Sequence, residues 1–424
     1  MADPIVIPRA DHTISRSNID ADALKVLYRL HRNDHLAYLV GGSVRDLLLG
    51  RRPKDFDIGT SAHPSEVKRL FRNCWIIGRR FRLAHVKFGT KVIEVATFRR
   101  KVPPPDPAAP EADAPDPPAR DGKPARRVVH QENTFGTPEE DAFRRDFTLN
   151  ALFYDISTFG IIDYTGGLAD LRAGVIRCIG DPDERFMEDP VRMLRAVAFE
   201  SRLDFRIDTL VLEAIDRKRL EMAHSAPPRL IEEFYKLLRA GVSARTFKSL
   251  RATGLLEGVA PELQFRPPDS LWQSLSELDA YRMRLDSPET LTNALLLGSL
   301  LVPLGFQTQP QEDAPLTLGI LPLARRDVER LRQILQLQRR LRDLTVPARV
   351  RRGILHRPAF PEALIWLDMH GDAPQVVDEW RAFAAETAGG RRPVTATATA
   401  TGDAPSRKRR RRRRGRRPRR PLAQ

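Results

Sequence analysis

The chain carries two cysteines in 424 residues, Cys74 and Cys178, far apart and without metal-ligand spacing. That excludes a disulfide framework and a cysteine metal site, and it fits a reducing compartment such as the cytoplasm. Long apolar runs are missing as well. The most lipid-like stretch, Leu291 to Phe306, contains Gly298 and Pro303 and the polar Thr292, Asn293 and Ser299, so it reads as a buried helix and not a transmembrane segment. Met1 to Ala10 has no apolar core of the kind a secretion signal needs. A chain of 424 residues is too long for one ordinary core and predicts two to four domains.

Acidic residues are absent from Arg407 to Arg420 (RKRRRRRRGRRPRR), which holds twelve basic residues. Without those twelve, 59 basic residues face 55 acidic ones, so residues 1–406 carry about +4 of the total +16. The basicity is therefore a tail. Such a segment attracts RNA phosphates without regard to sequence, and an RNA-decay protein or an anionic membrane surface are its alternative partners. A second biased stretch, Lys101 to Arg127, has nine prolines. It cannot build a core and predicts a loop or insertion, either tolerated or in contact with RNA.

What the chain does have is concentrated in Leu39 to Thr60, LVGGSVRDLLLGRRPKDFDIGT. The apolar run Leu36 to Val40 predicts a strand ending at Gly41-Gly42. Ser43 to Leu49 predicts a short helix with Ser43 as its N-cap and Gly50 past its end. Asp55-Phe56-Asp57-Ile58 predicts a strand with both carboxylates on one face and Phe56 and Ile58 turned to a core. Adjacent carboxylates repel unless a cation lies between them. Mg²⁺ is typically held by one or two carboxylates plus substrate phosphates, and the glycine pair offers backbone N–H groups to a phosphate. Alone, a DxD is usually a solvated loop and a GG a turn; together, in strand–turn–helix–strand order, they point to phosphoryl or nucleotidyl transfer.

The pattern GGxVRDxLLG followed by DxD resembles the nucleotidyltransferase superfamily that includes DNA polymerase β, and within it the branch of tRNA CCA-adding enzymes and bacterial poly(A) polymerases. The resemblance runs from about Ala21 to Ala240. It implies an α+β fold, with a polymerase β-like nucleotidyltransferase head followed by an all-α neck and body. The expected divisions are an extension at 1–20, the catalytic head at 21–165, a nucleotide-selecting neck at 166–240, an RNA-binding body at 241–384 and a disordered Arg-rich tail at 385–424. No histidine precedes an aspartate anywhere, so the HD phosphohydrolase domain of some relatives is not expected.

The same resemblance assigns roles. Asp55 and Asp57 would hold two Mg²⁺ ions, with Gly41, Gly42 and Arg45 at the triphosphate of ATP. Glu139 to Asp155, EEDAFRRDFTLNALFYD, has apolar anchors at Phe143, Phe147, Leu149, Ala151 and Leu152. It resembles a second signature, RRDFTxNAL, that puts Arg145 on the triphosphate and makes Asp146 a participant or a structural partner. Glu94, alone in the apolar strand IEVATF, is either a solvent-facing acid or a third carboxylate acting as base or metal ligand. In Ile179 to Leu203, Pro190 predicts a first helical turn with Asp189 as N-cap and a buried face of Val191, Leu194, Val197 and Ala198. There EDxxRxLRAxxF resembles the motif that selects the base with protein groups, here Asp189, Arg192 and Arg195. Ala198 stands where relatives usually have Arg.

Both members of that branch add nucleotides to RNA 3′ ends. The stretch IIGRRFRLAHV, with Arg79, Arg80, Arg82 and His85, resembles the poly(A) polymerases, whereas CCA-adding enzymes generally have GxxFGT-like sequence there. The expected activity is template-independent AMP transfer from ATP to RNA. CCA addition, a non-catalytic RNA-binding scaffold and a metal-dependent nuclease are the competing readings.

Overall fold

The computed structural model describes residues 3–78, 82–100, 135–285, 290–306 and 317–389. Arg79, Arg80, the Pro-rich stretch 101–127 and the tail from Arg407 to Arg420 lie outside them. The head is one mixed sheet of β1 (Ile5–Ile7), β2 (Ala37–Val40), β3 (Ile58–Thr60), β4 (Cys74–Ile77), β5 (Leu83–Phe88), β6 (Lys91–Thr97), β7 (Leu152–Asp155) and β8 (Ile161–Asp163). Their order is β1-β8-β7-β2-β3-β6-β5-β4. Only β3 and β6 pair in parallel; the other neighbours are antiparallel.

One face of this sheet is covered by α1 (Ala21–His31) and α3 (Pro64–Leu70). Asp20 caps α1 by accepting from the Asp22 and Ala23 N–H groups, and Val26, Leu27 and Leu30 recur at helical spacing to face the core. Between the two helices in sequence, α2 (Gly42–Leu48) sits at the end of β2. The opposite face holds a small cluster of Tyr38, Val40, Phe98 and Phe153 and is otherwise open at the Asp55–Asp57 segment.

The chain then turns α-helical. After α4 (Pro138–Phe143) and α5 (Gly167–Ala173), the neck comprises α6 (Pro182–Glu188), α7 (Val191–Leu203), α8 (Thr209–Lys218) and α9 (Pro227–Leu238). The body follows with α10 (Ser243–Ala252), α11 (Pro261–Gln264), α12 (Asp269–Met283), α13 (Asn293–Leu301), α14 (Arg325–Arg342), α15 (Ala348–Leu355), α16 (Phe360–His370) and α17 (Pro374–Gly389). Every residue of α13 from Ala294 to Leu301 is buried, against α12, α14 and α9. The lipid-like run is thus the hub of the body, and among the described residues no helix is long and apolar enough to cross a membrane.

Several boundaries differ from expectation. The extension expected at 1–20 is packed onto the head over its described residues: Ile5-Val6-Ile7 is a β-branched run that pairs with β8, and Ile7 and Ile14 are buried. Gly41, not Ser43, caps α2, because its φ of 70° and ψ of −131° turn the chain out of β2. Ser43 lies within the first turn, where its hydroxyl donates to the Val40 carbonyl. Asp55 and Asp57 precede β3, although Asp57 already accepts a ladder bond from Val40 N–H. Helix α17 continues past Ala385 to Gly389, anchored by buried Val377 and Trp380. Cys74 and Cys178 are both free and buried.

Candidate active site

A cleft of about 710 Å³ opens where the sheet meets α7 and α9, lined by nine arginines and lysines against six acids. Four of those acids are paired: Asp46 with Arg45, Asp146 with Arg195, Asp189 with Arg229 and Glu233 with Lys236. Among the described residues Asp55 and Asp57 have no cation partner. They are two unpaired carboxylates in a cleft whose charge is otherwise positive.

The ladder explains their placement. Ile58 is buried under the sheet, so Asp57, one residue earlier, takes the open face, and Asp55 shares it. Ile58 is registered with Val95, which sets Glu94 beside Asp57 on the same face. Withdrawal of solvent, then Glu94, then Asp55, push the Asp57 carboxyl up to about 6, with Arg145 opposing. Glu94 itself is half-exposed, with His85 Nε2 3.6 Å from its Oε1. It borders the carboxylate pair and is not one of the cleft's lining residues.

Arg145 is held in place from three sides. Its Nε and Nη2 donate to Asp141 Oδ2 at 3.2 and 2.9 Å, its Nη1 donates to the Asn150 carbonyl at 3.2 Å, and its plane lies over the Phe153 ring at 5.3 Å. Burial would raise the Asp141 carboxyl, but Arg145 and Arg144 hold it below the ordinary range. Gly41 makes room for this clamp: a Cβ there would come within 3.0 Å of Arg145 Nη1, on a backbone already at positive φ. Gly42 lies beside Arg45 in the same way, its Cβ position 3.4 Å from Nη2.

Arg45 departs from its expected place. It is 2% exposed, donates from Nε to Asp46 at 2.8 Å and from Nη1 to Asn150 Oδ1 at 2.6 Å, and covers the Phe199 ring. It is a strut between α2 and the Asn150 turn that reaches the cleft floor with its remaining N–H groups. Asp146 accepts from Phe147 N–H, from Asn150 Nδ2 and from Arg195 Nε, and those partners keep it ionised despite burial. Its charge is matched by Arg195, and it lines the same cleft as Asp55 and Asp57. Phe143, expected as an anchor, is exposed, because the buried face of α4 is Asp141 and Ala142.

Asp189, Arg192 and Arg195, expected to select the base, all line the cleft, but from a broken helix. Asp189 ends α6 and precedes Pro190, which caps α7. The proline shifts the cap by one residue: the Asp189 carboxylate still accepts from Val191 N–H while its other oxygen takes Arg229 Nη2 at 2.7 Å. Arg192 donates to the Arg185 carbonyl and to Glu188. Ala198 was expected in the buried face, yet it lines the cleft, and Arg202 follows one turn later. Withdrawal of solvent, then Arg45, Arg51 and Arg195, push Arg202 down to about 10. Cations crowded this closely call for an anion.

Sequence reasoning missed Asp141, Asn150, Glu188 and Arg229, which hold the functional groups rather than supply them. The signal for Asp141 was present, since it stands four residues before Arg145, the spacing of a helical ion pair.

The donor set is all oxygen, Asp55 and Asp57 without Cys or His, and no group of three or more His, Cys, Asp or Glu able to hold a metal occurs among the described residues. Two carboxylates are by themselves an open donor set. It fits a hard cation such as Mg²⁺ that completes its shell with substrate phosphates, since burial and the neighbouring Glu94 and Asp55 disfavour the ionised Asp57 in the absence of a positive charge.

Three family models match along the chain in order: the poly A polymerase head domain at 37–177, the probable RNA and SrmB-binding site of polymerase A at 204–266, and the polymerase A arginine-rich C-terminus at 317–417. Poly(A) polymerase I of Salmonella typhi is 47% identical over 267 residues, 61% of this chain and 54% of that protein. Poly(A) polymerase I of Haemophilus influenzae is 42% identical over 62% of this chain and 56% of its own. A CCA-adding enzyme of Bacillus velezensis is 36% identical over 55% of this chain and 54% of its own. The chain spans about half the length of these curated relatives. Among solved structures, the Bacillus stearothermophilus CCA-adding enzyme in complex with CTP is 29% identical with a TM-score of 0.59, covering 86% of this chain and 82% of that one. A tRNA nucleotidyltransferase complexed with a primer tRNA and an incoming ATP analog shares the fold at a TM-score of 0.53 and 23% identity, over 86% of this chain and 99% of that one.

Proposed function

The chain belongs to the tRNA nucleotidyltransferase and poly(A) polymerase family, and from that premise we propose that it transfers AMP from ATP to the 3′ end of RNA without a template. The observation that carries the reading is the unpaired Asp55–Asp57 couple on the open face of the sheet, facing an arginine-lined cleft. The higher identity to poly(A) polymerases than to CCA-adding enzymes, 42–47% against 36%, supports adenylate as the product.

In this reading the RNA 3′-oxygen attacks the α-phosphorus of ATP, the bond from that phosphorus to the β-bridging oxygen breaks, and pyrophosphate leaves. Mg²⁺ bound through Asp55, Asp57 and the substrate phosphates would supply Lewis-acid activation of the hydroxyl and neutralise charge on the leaving group. The chain's own residues do the rest. Arg145, fixed by Asp141 and Asn150, lies against the α2 N-terminus and presents a preorganised cation to the triphosphate. Glu94, beside Asp57, is the carboxylate placed to take the proton of the attacking hydroxyl. Asp189 and Arg192 select adenine by exchanging a protein partner, Arg229 or Glu188, for an edge of the base. Arg195 is set by Asp146. The cytoplasm is the compartment this substrate pair implies.

Purified protein with Mg²⁺ and a labelled RNA, given ATP or CTP separately, should yield a long ladder with ATP and little with CTP. Additions that require CTP and end at CCA would make it the CCA-adding enzyme. Asp55→Ala and Asp57→Ala should each reduce incorporation below detection while far-UV circular dichroism and RNA binding stay near wild type. Substantial turnover in either variant would remove the pair from the mechanism.

A further inference from the structure

Resting on that reading, we propose that the open face of the outer half of the sheet, centred on Trp75, is a stacking platform for the RNA strand upstream of its 3′ end. The four tryptophans are used very differently. Trp380 is buried and donates from Nε1 to the Leu341 carbonyl, Trp366 packs on His370, and Trp272 takes Lys248 over its ring. Trp75 is 53% exposed, and among the described residues neither its ring nor its indole N–H has a partner. An aromatic side chain of that size left to water loses apolar burial that other positions could supply.

Its place in the sheet gives the exposure meaning. Trp75 is registered with His85 on β5, and His85 with Glu94 on β6. Glu94 in turn lies beside Asp57 through the β3–β6 register. Directly opposed residues share a face, so Asp57, Glu94, His85 and Trp75 form one row across four strands. Cys74, Ala84, Val86, Ile93 and Val95 alternate with that row and are buried on the other side. Ile77, 51% exposed, flanks Trp75 on the same face, and Lys87 two residues from His85 adds a cation. The surface is continuous with the catalytic carboxylates, apolar and aromatic at its outer end, with a donor and a cation along it. That is the chemistry of a single-stranded nucleic acid groove, in which bases stack on aromatic rings while cations follow the backbone.

The row also fixes a length. At about 4.8 Å per strand, Trp75 lies roughly 14 Å from the carboxylates, which is about four nucleotides at a stacked rise of about 3.4 Å. A primer of two or three residues cannot reach it, whereas one of eight can. Because each base offers the same π-face, the platform accepts any sequence.

The test compares Trp75→Ala and Trp75→Phe with wild type on a dinucleotide primer and on an octanucleotide, with ATP varied separately. Trp75→Ala should raise KM for the octanucleotide about tenfold or more, leave KM for the dinucleotide and for ATP unchanged, and be rescued by Trp75→Phe. A 2-aminopurine placed four residues from the 3′ end should be quenched by wild type and not by Trp75→Ala. Unchanged octanucleotide KM and quenching would overturn the platform, and a change of sedimentation in Trp75→Ala with RNA kinetics intact would reassign this edge to a protein contact. Failure of wild type to extend any RNA with ATP would instead sink the enzymatic reading, while the 2-aminopurine signal still reports on the platform.

Discussion

At the scale of single residues, Asp57 is where function is set against stability. Its carboxyl rises to about 6 on folding, from the loss of solvent and from Glu94 and Asp55. A group that binds its proton more tightly folded than unfolded makes stability fall as pH rises between its ordinary value, about 3.9, and about 6, and above that the penalty is fully present. Asp57→Asn keeps the shape and removes the charge. In chelator-treated protein it should therefore melt above wild type at pH 7.5, with the gap closing toward pH 4. A lower melting temperature at pH 7.5 would show that Asp57 has a stabilising partner after all. The carboxylates were legible in the sequence because their chemistry requires particular residue types at close spacing, and Arg145 only through the resemblance of its surroundings to the RRDFTxNAL signature. Asp141 and Asn150 were not, since they act by being buried and bonded. A residue that serves another residue leaves only the weak trace of helical or turn spacing, and Arg45 shows the converse, a motif arginine drawn inward by Asp46 and Asn150.

At the scale of elements, β2 was legible to within a residue from the apolar run Leu36 to Val40, whereas the strand expected over Asp55 to Ile58 begins only at Ile58. The edge strand β1 was overlooked because three residues beside polar sequence give too short a period to recognise, and the partner that makes them a strand, β8, lies more than 150 residues away. The break between α6 and α7 follows from Asp189-Pro190, where proline disfavours a helical residue before it. In the body, α14 buries Val328, Leu331, Ile334, Leu337 and Leu341 at helical spacing, but the packing of α13 was invisible to periodicity. All its faces are apolar, and the sequence alone gives no reason for Gly298. In the structure a Cβ at Gly298 would come within 2.4 Å of Trp366 Cζ3 and 2.7 Å of Leu331 Cδ1. Glycine is what lets α13 approach α14 and α16 this closely. Gly298→Ala should improve local helix propensity by about 1 kcal/mol yet cost about 1–3 kcal/mol in overpacking. The net result is a lower melting temperature with nucleotide KM unchanged, since the cleft lies in the head and neck. A higher melting temperature would mean that the body relaxes around the new methyl without strain.

At the scale of the whole molecule, charge is divided between two tasks. The cleft uses its arginines locally, four of its acids being matched to them or to a lysine, so little of its positive field reaches an RNA at a distance. The twelve basic residues from Arg407 to Arg420 face no acid in sequence, and their attraction for phosphate is long-ranged and screened by salt. If they hold RNA, each phosphate they neutralise contributes about −0.7 to the slope of log affinity against log salt for a single strand. Deleting 407–424 should therefore weaken RNA binding most at low salt and flatten that slope by about 4 if six phosphates are released. The rate at saturating RNA should stay near wild type, because the deletion leaves Asp55 and Asp57 in place and Arg145 held by Asp141 and Asn150. Binding isotherms from 50 to 400 mM KCl on both proteins decide the matter. An unchanged slope would free the tail from RNA and turn attention to anionic vesicles or a protein partner, whose binding the same deletion should then abolish. A flattened slope together with a reduced rate at saturation would mean that the tail also steers the 3′ end into the cleft, a task the Trp75 row would then share.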